Sequence, residues 1–115
     1  MHELSLLEAL IQDLEDARRG QGFRRVVEVH LEVGRLAGAD PEALRFAFEG
    51  ATPGTVAEGA ALVLVEVPGR GHCRACGRDV AVEARFLPCP VCGAAAVTLT
   101  GGTELRLKEI VVEEG

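Results

Sequence analysis

The sequence is poor in aromatic residues and in positive charge. It has no tryptophan, no tyrosine and four phenylalanines among 115 residues, so its core must be aliphatic. Proteins that bind single-stranded nucleic acid stack the bases on exposed aromatic side chains, and nucleic-acid binders usually carry excess basic charge. Here twelve lysines and arginines stand against eighteen aspartates and glutamates, a formal net charge of −6. We therefore expect no nucleic-acid partner.

The sequence also lacks long hydrophobic runs and a leader pattern. No apolar stretch approaches the roughly 20 residues that cross a membrane. The first 20 residues carry acidic side chains throughout and lack the basic start of a secretory signal peptide. We therefore expect a cytoplasmic protein with no membrane partner. In that reducing setting, cysteines in C-x-x-C pairs favour metal binding over disulfides.

Hydrophobic periodicity predicts two helices and three strands. The predicted order is a helix at 4–18, a strand at 24–33, a helix from Asp40 to Gly50, and strands at 61–67 and 104–112. Residues 69–102 are rich in glycine, cysteine and proline and show little periodicity. The predicted fold class is α+β: two helices on a small three-stranded mixed sheet, with an inserted zinc-ribbon-like module of four cysteines.

Finer features of these elements follow from the same patterns. The first helix has an apolar face and a stop supplied by two glycines; at its start, Ser5 and Glu8 match a capping box, and the alternative is a first turn that already includes His2 or Glu3. In the first strand, alternate valine and leucine positions share one face, and Val26 falls on the opposite face with His30. Asp40 is predicted to cap the second helix, followed by a proline at its first position. The apolar positions are Leu4, Leu7, Leu10, Ile11 and Leu14 in the helix, and Val27, Val29, Leu31 and Val33 in the strand; the glycines are Gly20 and Gly22.

Two C-x-x-C-G sequences form the strongest motif in the chain. Cys73 and Cys76 form the first pair, Cys89 and Cys92 the second, with residues 77–88 between them. Each pair can bring two sulfurs to one ion, and two pairs make a closed tetrahedral site that suits structural Zn(II). Iron in the same geometry would instead give a rubredoxin-like electron carrier. We interpret the neighbouring His72 as an exposed loop residue rather than a ligand.

The first three residues form a second candidate metal site. The Met1 amine, the His2 amide nitrogen and the His2 imidazole can close two chelate rings around one ion, and Glu3 can add a donor. Such a nitrogen-rich, tetragonal set favours Ni(II) or Cu(II) over zinc. If short connections bring both helices to start at the same end of the domain, Asp40 can add a carboxylate.

Together these motifs resemble the HypA/HybF nickel chaperones, which mature nickel–iron hydrogenases. The resemblance rests on the opening Met-His-Glu-Leu-Ser, the stretches 29–34 and 55–59, and the paired cysteine motifs. It implies Ni(II) as transient cargo on His2 and Glu3, with His2 essential, and structural Zn(II) on the four cysteines. It also implies a nickel-binding domain at 1–68 and 103–115 and a zinc-binding module at 69–102.

The same resemblance implies partners and excludes catalysis. The expected partners are a HypB-like maturation GTPase and the large subunit of the hydrogenase. The sequence shows no paired carboxylates, no nucleophile–base pair and no phosphate-binding loop, so we expect no enzymatic activity. The alternatives left open are a zinc-ribbon interaction module without a nickel role and, less favoured, the rubredoxin-like iron redox protein.

Overall fold

The computed structural model describes residues 3–115. Its elements are α1 Glu3–Gln21, β1 Arg25–Gly34, α2 Pro41–Ala51, β2 Ala61–Val67, β3 Arg70–Cys73, β4 Asp79–Ala81, β5 Val97–Gly101 and β6 Leu105–Glu113. The strands form a mixed three-stranded sheet in the order β2-β1-β6 and a second sheet in the order β4-β3-β5. No helix in residues 3–115 is long and apolar enough to cross a membrane.

The chain divides into two compact units. Unit 1 comprises residues 1–31, 39–64 and 107–115, of which 3–31 are described here, and contains both helices. Unit 2 comprises residues 32–38 and 65–106 and contains the second sheet and all four cysteines. Unit 2 is therefore larger than the 69–102 segment marked out by the cysteine-rich sequence.

Helix α1 buries the predicted face except at its first position. Four apolar side chains, Leu7, Leu10, Ile11 and Leu14, are buried. Leu4 has the same spacing but is 53% exposed, so the buried part of that face begins at Leu7. The helix already includes Glu3, which places Ser5 inside the first turn and not at the cap. The predicted capping box is therefore absent.

The C-terminal end of α1 is set by one of the two candidate glycines. Gly22 has φ +77°, and its N–H donates to the carbonyl of Arg18 over 2.8 Å. This left-handed residue after the last turn is how many helices end. Gly20, in contrast, lies within the helix.

Strand β1 follows the predicted alternation only in its second half. Val29, Leu31 and Val33 are buried, as predicted. Val26 is also fully buried, whereas Val27 is only partly buried, so the prediction was wrong at this end of the strand. The Val26 N–H donates to the carbonyl of Val56 over 2.9 Å, because the segment between α2 and β2 covers the start of β1.

Helix α2 begins as predicted. Asp40 is the N-cap, and its Oδ1 accepts a hydrogen bond from the Glu42 N–H at 3.0 Å, while Pro41 opens the helix. Leu44, Ala47 and Phe48 are its buried residues. The cap satisfies a helix N–H that would otherwise have no partner.

The second sheet was not predicted from the sequence. Strand β3 pairs antiparallel with β4 and with β5, so the cysteine-rich segment contains a small three-stranded sheet. These strands span only three to five residues each. A period-2 pattern over so few residues is hard to distinguish from loop sequence.

Candidate metal centre

The four cysteines lie on two turns of the same construction. In each turn the N–H of a glycine donates to the carbonyl of the first cysteine over 2.8 Å: Gly77 to Cys73, and Gly93 to Cys89. The φ angles of the two glycines are +76° and +78°. This backbone conformation suits glycine, which explains why a glycine follows the second cysteine of each pair.

The turns bring all four sulfurs together. The four Sγ atoms lie within 4.8 Å of one another. Cys73 Sγ is 3.6 Å from Cys92 Sγ, and Cys76 Sγ is 3.9 Å from Cys89 Sγ. A tetrahedral ion with metal–sulfur bonds of about 2.3 Å places its sulfurs about 3.8 Å apart. The spacing thus fits one four-coordinate ion, and all four cysteines are free of disulfides.

Hydrogen bonds within the second turn favour a thiolate at Cys89. The backbone N–H groups of Cys92 and Val91 point at Cys89 Sγ, at N···S distances of 3.5 and 3.4 Å. They lower the pKa of Cys89 to about 6, with the Cys92 N–H as the main cause. The equivalent N–H of Cys76 lowers the pKa of Cys73.

The fourth sulfur behaves in the opposite way. The Ala94 N–H acts to lower the pKa of Cys92, but the neighbouring sulfurs and burial outweigh it and raise this pKa to about 11. Four thiolates this close repel one another, so without a cation some of them must keep their protons. A divalent cation would offset the repulsion between the thiolates. The charge of the four sulfurs therefore fits a metal ion, as their spacing does.

Burial closes the inner side of the cluster. Cys73 and Cys89 are buried, whereas Cys76 and Cys92 reach the surface. The two buried cysteines form a small core with three aliphatic residues, Leu36, Val80 and Val82. The site is therefore part of the packing of unit 2.

His72 lies outside this cluster. It is on strand β3 and not in a loop, which corrects that part of the prediction. Its Nδ1 lies 2.9 Å from Oδ1 of Asp79, its partner in the β3–β4 register. Among residues 3–115, the four cysteines form the only grouping of three or more His, Cys, Asp or Glu side chains that could hold a metal ion.

The predicted nickel ligands are only partly within the described chain. Met1 and His2 lie outside the described residues, and their positions relative to Asp40 stay a prediction. Glu3 is the first residue of α1 and is partly buried. Asp40 is exposed and serves as the N-cap of α2.

Three glycines allow close contacts between backbone segments of unit 2, and the sequence analysis did not identify them. A Cβ on Gly34 would lie 2.1 Å from the Gly102 carbonyl oxygen, and one on Gly69 would lie 2.1 Å from the Val82 carbonyl oxygen. Gly102, with φ +88°, contacts the backbone of Gly69 in turn. The backbone segments approach too closely for any side chain. The only sequence signal was the glycine that ends the 29–34 stretch.

Comparison with known proteins agrees with this geometry. The family model described as hydrogenase/urease nickel incorporation, metallochaperone, hypA matches residues 1–112. The hydrogenase maturation factor HypA of Methylocella silvestris is 50% identical over 113 residues, covering 98% of this chain and all of that protein. The HypA of Dechloromonas aromatica is 47% identical with the same coverage.

Two solved structures share the fold. The solution structure of the Ni metallochaperone HypA from Helicobacter pylori superposes with a TM-score of 0.69 at 23% identity, covering both chains completely. A second solution structure of a HypA protein gives a TM-score of 0.71 at 25% identity, covering 99% of this chain and 96% of the other. Since the family match runs from residue 1 to 112 and the relatives are nearly half identical, the chain belongs to the HypA family of nickel-incorporation metallochaperones.

Proposed function

We propose that this protein binds Ni(II) at its N-terminus and delivers it during the maturation of a nickel–iron hydrogenase. The observation that carries the proposal is the match to a nickel-incorporation family over residues 1–112, which includes the Met-His-Glu start. The protein then acts as a cytoplasmic carrier and not as an enzyme. Its partners are a HypB-like GTPase, and the hydrogenase large subunit as acceptor.

The nickel set is built from the chain start. The Met1 amine, the His2 amide nitrogen and the His2 imidazole supply three nitrogens, and Glu3 supplies a fourth donor. A set of this kind suits the tetragonal preference of Ni(II). Asp40 can contribute as well, because a carboxylate has two oxygens and its helix cap uses Oδ1 alone.

The four cysteines hold Zn(II) in this proposal, and the ion supplies folding energy to unit 2. The sulfur spacing and the small apolar core around Cys73 and Cys89 support this assignment. A site closed by four protein ligands leaves no open position for a reacting molecule. The tightly held zinc and the exchangeable nickel therefore lie on different residues.

Nickel titration of the chain with its native start tests the proposal. His2→Ala should abolish stoichiometric Ni(II) binding, because it removes the imidazole and with it one chelate ring. The zinc content should stay at one ion per chain. The matched control is His30→Ala, since the His30 Nε2 lies 2.8 Å from Glu28 and the residue is far from the chain start in sequence.

A second variant tests the role of the free amine. Adding two residues before Met1 should weaken nickel binding strongly while leaving the secondary structure unchanged. If His2→Ala and the extended chain both bind nickel like the parent, the proposed site is wrong, and the zinc-ribbon alternative is favoured. Metal analysis with a visible absorption spectrum separates zinc from iron, because ferric iron bound by four sulfurs is coloured and zinc is not.

A further inference from the structure

Unit 2 carries exposed hydrophobic side chains that supply no ligand to either candidate metal site. Phe86 is 99% exposed, Leu87 is 50% exposed and Val91 is 57% exposed. These three side chains are among the large exposed apolar ones of the described chain, and they lie within six consecutive residues. We call them, together with Arg85, the Phe86 surface. Clusters of this kind on a soluble protein usually mark a contact with another molecule.

The backbone at Phe86 is strained, and its exposed side chain gains no packing within this protein that would offset the strain. Among residues 3–115, Phe86 is the only non-glycine residue with positive φ, at +67°. A bulky side chain in this region costs about 1–3 kcal/mol. The conformation turns the phenyl ring into solvent, and a hollow of about 140 Å³ lies beside it, lined by Val82, Leu87 and Leu99 among others.

The chain on both sides of Phe86 is held in place by hydrogen bonds. Arg85 Nε donates to the carbonyl of Leu36 over 2.8 Å, which fixes the chain directly before Phe86. After it, the Cys89 N–H donates to the carbonyl of Ala94 over 2.9 Å. An ordered backbone costs less conformational entropy on binding than a flexible loop would, and exposed aromatic side chains are typical of residues that dominate an interface.

The charge around this surface defines the chemistry of the partner. Residues 69–102 carry four arginines and two carboxylates. Glu83 forms a salt bridge with Arg35 at 3.0 Å, and Asp79 Oδ1 lies 2.9 Å from His72 Nδ1. Among the described residues, the four arginines form no salt bridge. The segment therefore carries more positive than negative charge, and one of its arginines directly precedes Phe86; the four are Arg70, Arg74, Arg78 and Arg85.

We propose that the Phe86 surface docks into an apolar pocket bordered by carboxylates on the nickel-accepting protein. The inference rests on the proposed function, since the acceptor is taken to be the hydrogenase large subunit. A delivered ion must reach one buried position, which requires a contact of fixed orientation. The ordered backbone fixes the point from which the Phe86 side chain projects, and the arginines favour an acidic surface.

Phe86→Gly gives a clean test, because it removes the ring and relieves the strained φ. The nickel-loaded full chain is titrated onto the purified large-subunit precursor from the same organism. Affinity should fall at least tenfold, while the melting temperature stays equal or rises. Phe86→Asn is the second variant, because asparagine tolerates this φ. The matched control is Phe46→Ala, whose ring is 79% exposed on α2 of unit 1 and whose loss should change affinity less than twofold.

Charge reversal tests the second half of the proposal. Arg70 lies opposite Ala81 in the β3–β4 register, at the end of the sheet from which the chain runs on to Phe86. Arg70→Glu should weaken binding several-fold, whereas Lys108→Glu in unit 1 should not. The proposal is overturned if Phe86→Gly binds the large-subunit precursor with unchanged affinity. It is also overturned if the Phe86 surface binds the GTPase, nucleic acid or a second copy of this chain instead. Stoichiometric nickel binding by Phe86→Gly separates this failure from that of the nickel site, which His2→Ala tests.

Discussion

The two units are stabilised in different ways. Unit 1 buries large aliphatic and aromatic side chains from both helices, including Leu7, Leu14, Leu44 and Phe48. The buried cluster of unit 2 has five members, and two of them are cysteines. A segment of this size rarely folds on such a small core without a metal or disulfides. In unit 2 the sulfur cluster is therefore part of a small core, whereas the core of unit 1 is made of large apolar side chains.

The charge of the units differs as clearly as their packing. Unit 1 carries thirteen acidic and six basic side chains, a net charge of −7, whereas unit 2 carries five acidic and six basic, a net charge of +1. Negative potential raises the local concentration of cations, so unit 1 suits a cationic cargo. Unit 2 is close to neutral, and its positive excess lies in residues 69–102, which contain Phe86.

The largest expected effect comes from removing one sulfur. In the proposed zinc site Cys89→Ser removes a buried ligand, and unit 2 should then lack a stable core, since structural zinc supplies folding energy to small modules of this kind. Amide hydrogen exchange should show loss of protection in β3, β4 and β5, with α1 still protected. Removing the metal from the parent with a chelator should reproduce this pattern. Equal loss of amide protection in both units would show that they are not stabilised in different ways.

A smaller but still severe effect is expected from Gly34→Ala. The new Cβ would lie 2.1 Å from the Gly102 oxygen and 2.7 Å from the Glu104 nitrogen, and both atoms are backbone. Relief requires the chain segments to move apart, so the free energy of unfolding should fall by about 3 kcal/mol or more. Chemical denaturation with zinc bound measures it. A loss below about 1 kcal/mol would show that these segments can separate easily.

The same substitution in unit 1 should have a small effect of the opposite sign. Gly20 lies inside α1, and a Cβ there would meet no atom within 4 Å. Gly20→Ala should raise the free energy of unfolding by about 0.5–1 kcal/mol, because alanine loses less backbone entropy in a helix. Thermal unfolding of the two alanine variants side by side provides the check. Destabilisation by Gly20→Ala would mean that the last turn of α1 needs glycine.

Local signals account for what the sequence predicted well. The α2 cap at Asp40, the stop at Gly22 and both cysteine turns each depend on a few neighbouring residues. The predicted helices and long strands agree with the structure to within three residues at their ends. The sulfur cluster was also predictable, because C-x-x-C spacing fixes two sulfurs per turn and two such turns satisfy one ion.

The predictions failed where distant segments decide the outcome. Leu4 has the right spacing for the buried face of α1 but is exposed. Val26 lies on the face of β1 that was predicted to be exposed, yet it is fully buried, and its N–H donates to the carbonyl of Val56 in a distant segment. Strands β3, β4 and β5 are too short to show a period. Burial and strand pairing at these positions depend on which remote segment arrives there, and a local pattern does not contain that information.

The sequence by itself determined the aliphatic character of the core, the Asp40 cap, the Gly22 stop and the pairing of sulfurs within each C-x-x-C turn, because each depends on residue type and short separation; the order of its motifs along the whole chain also indicated the HypA family. Only the tertiary structure decided how the sulfurs of the two turns meet, why Gly34, Gly69 and Gly102 must lack side chains, and that Phe86 faces solvent on a strained backbone. These features arise where segments dozens of residues apart come into contact, and their geometry follows from packing.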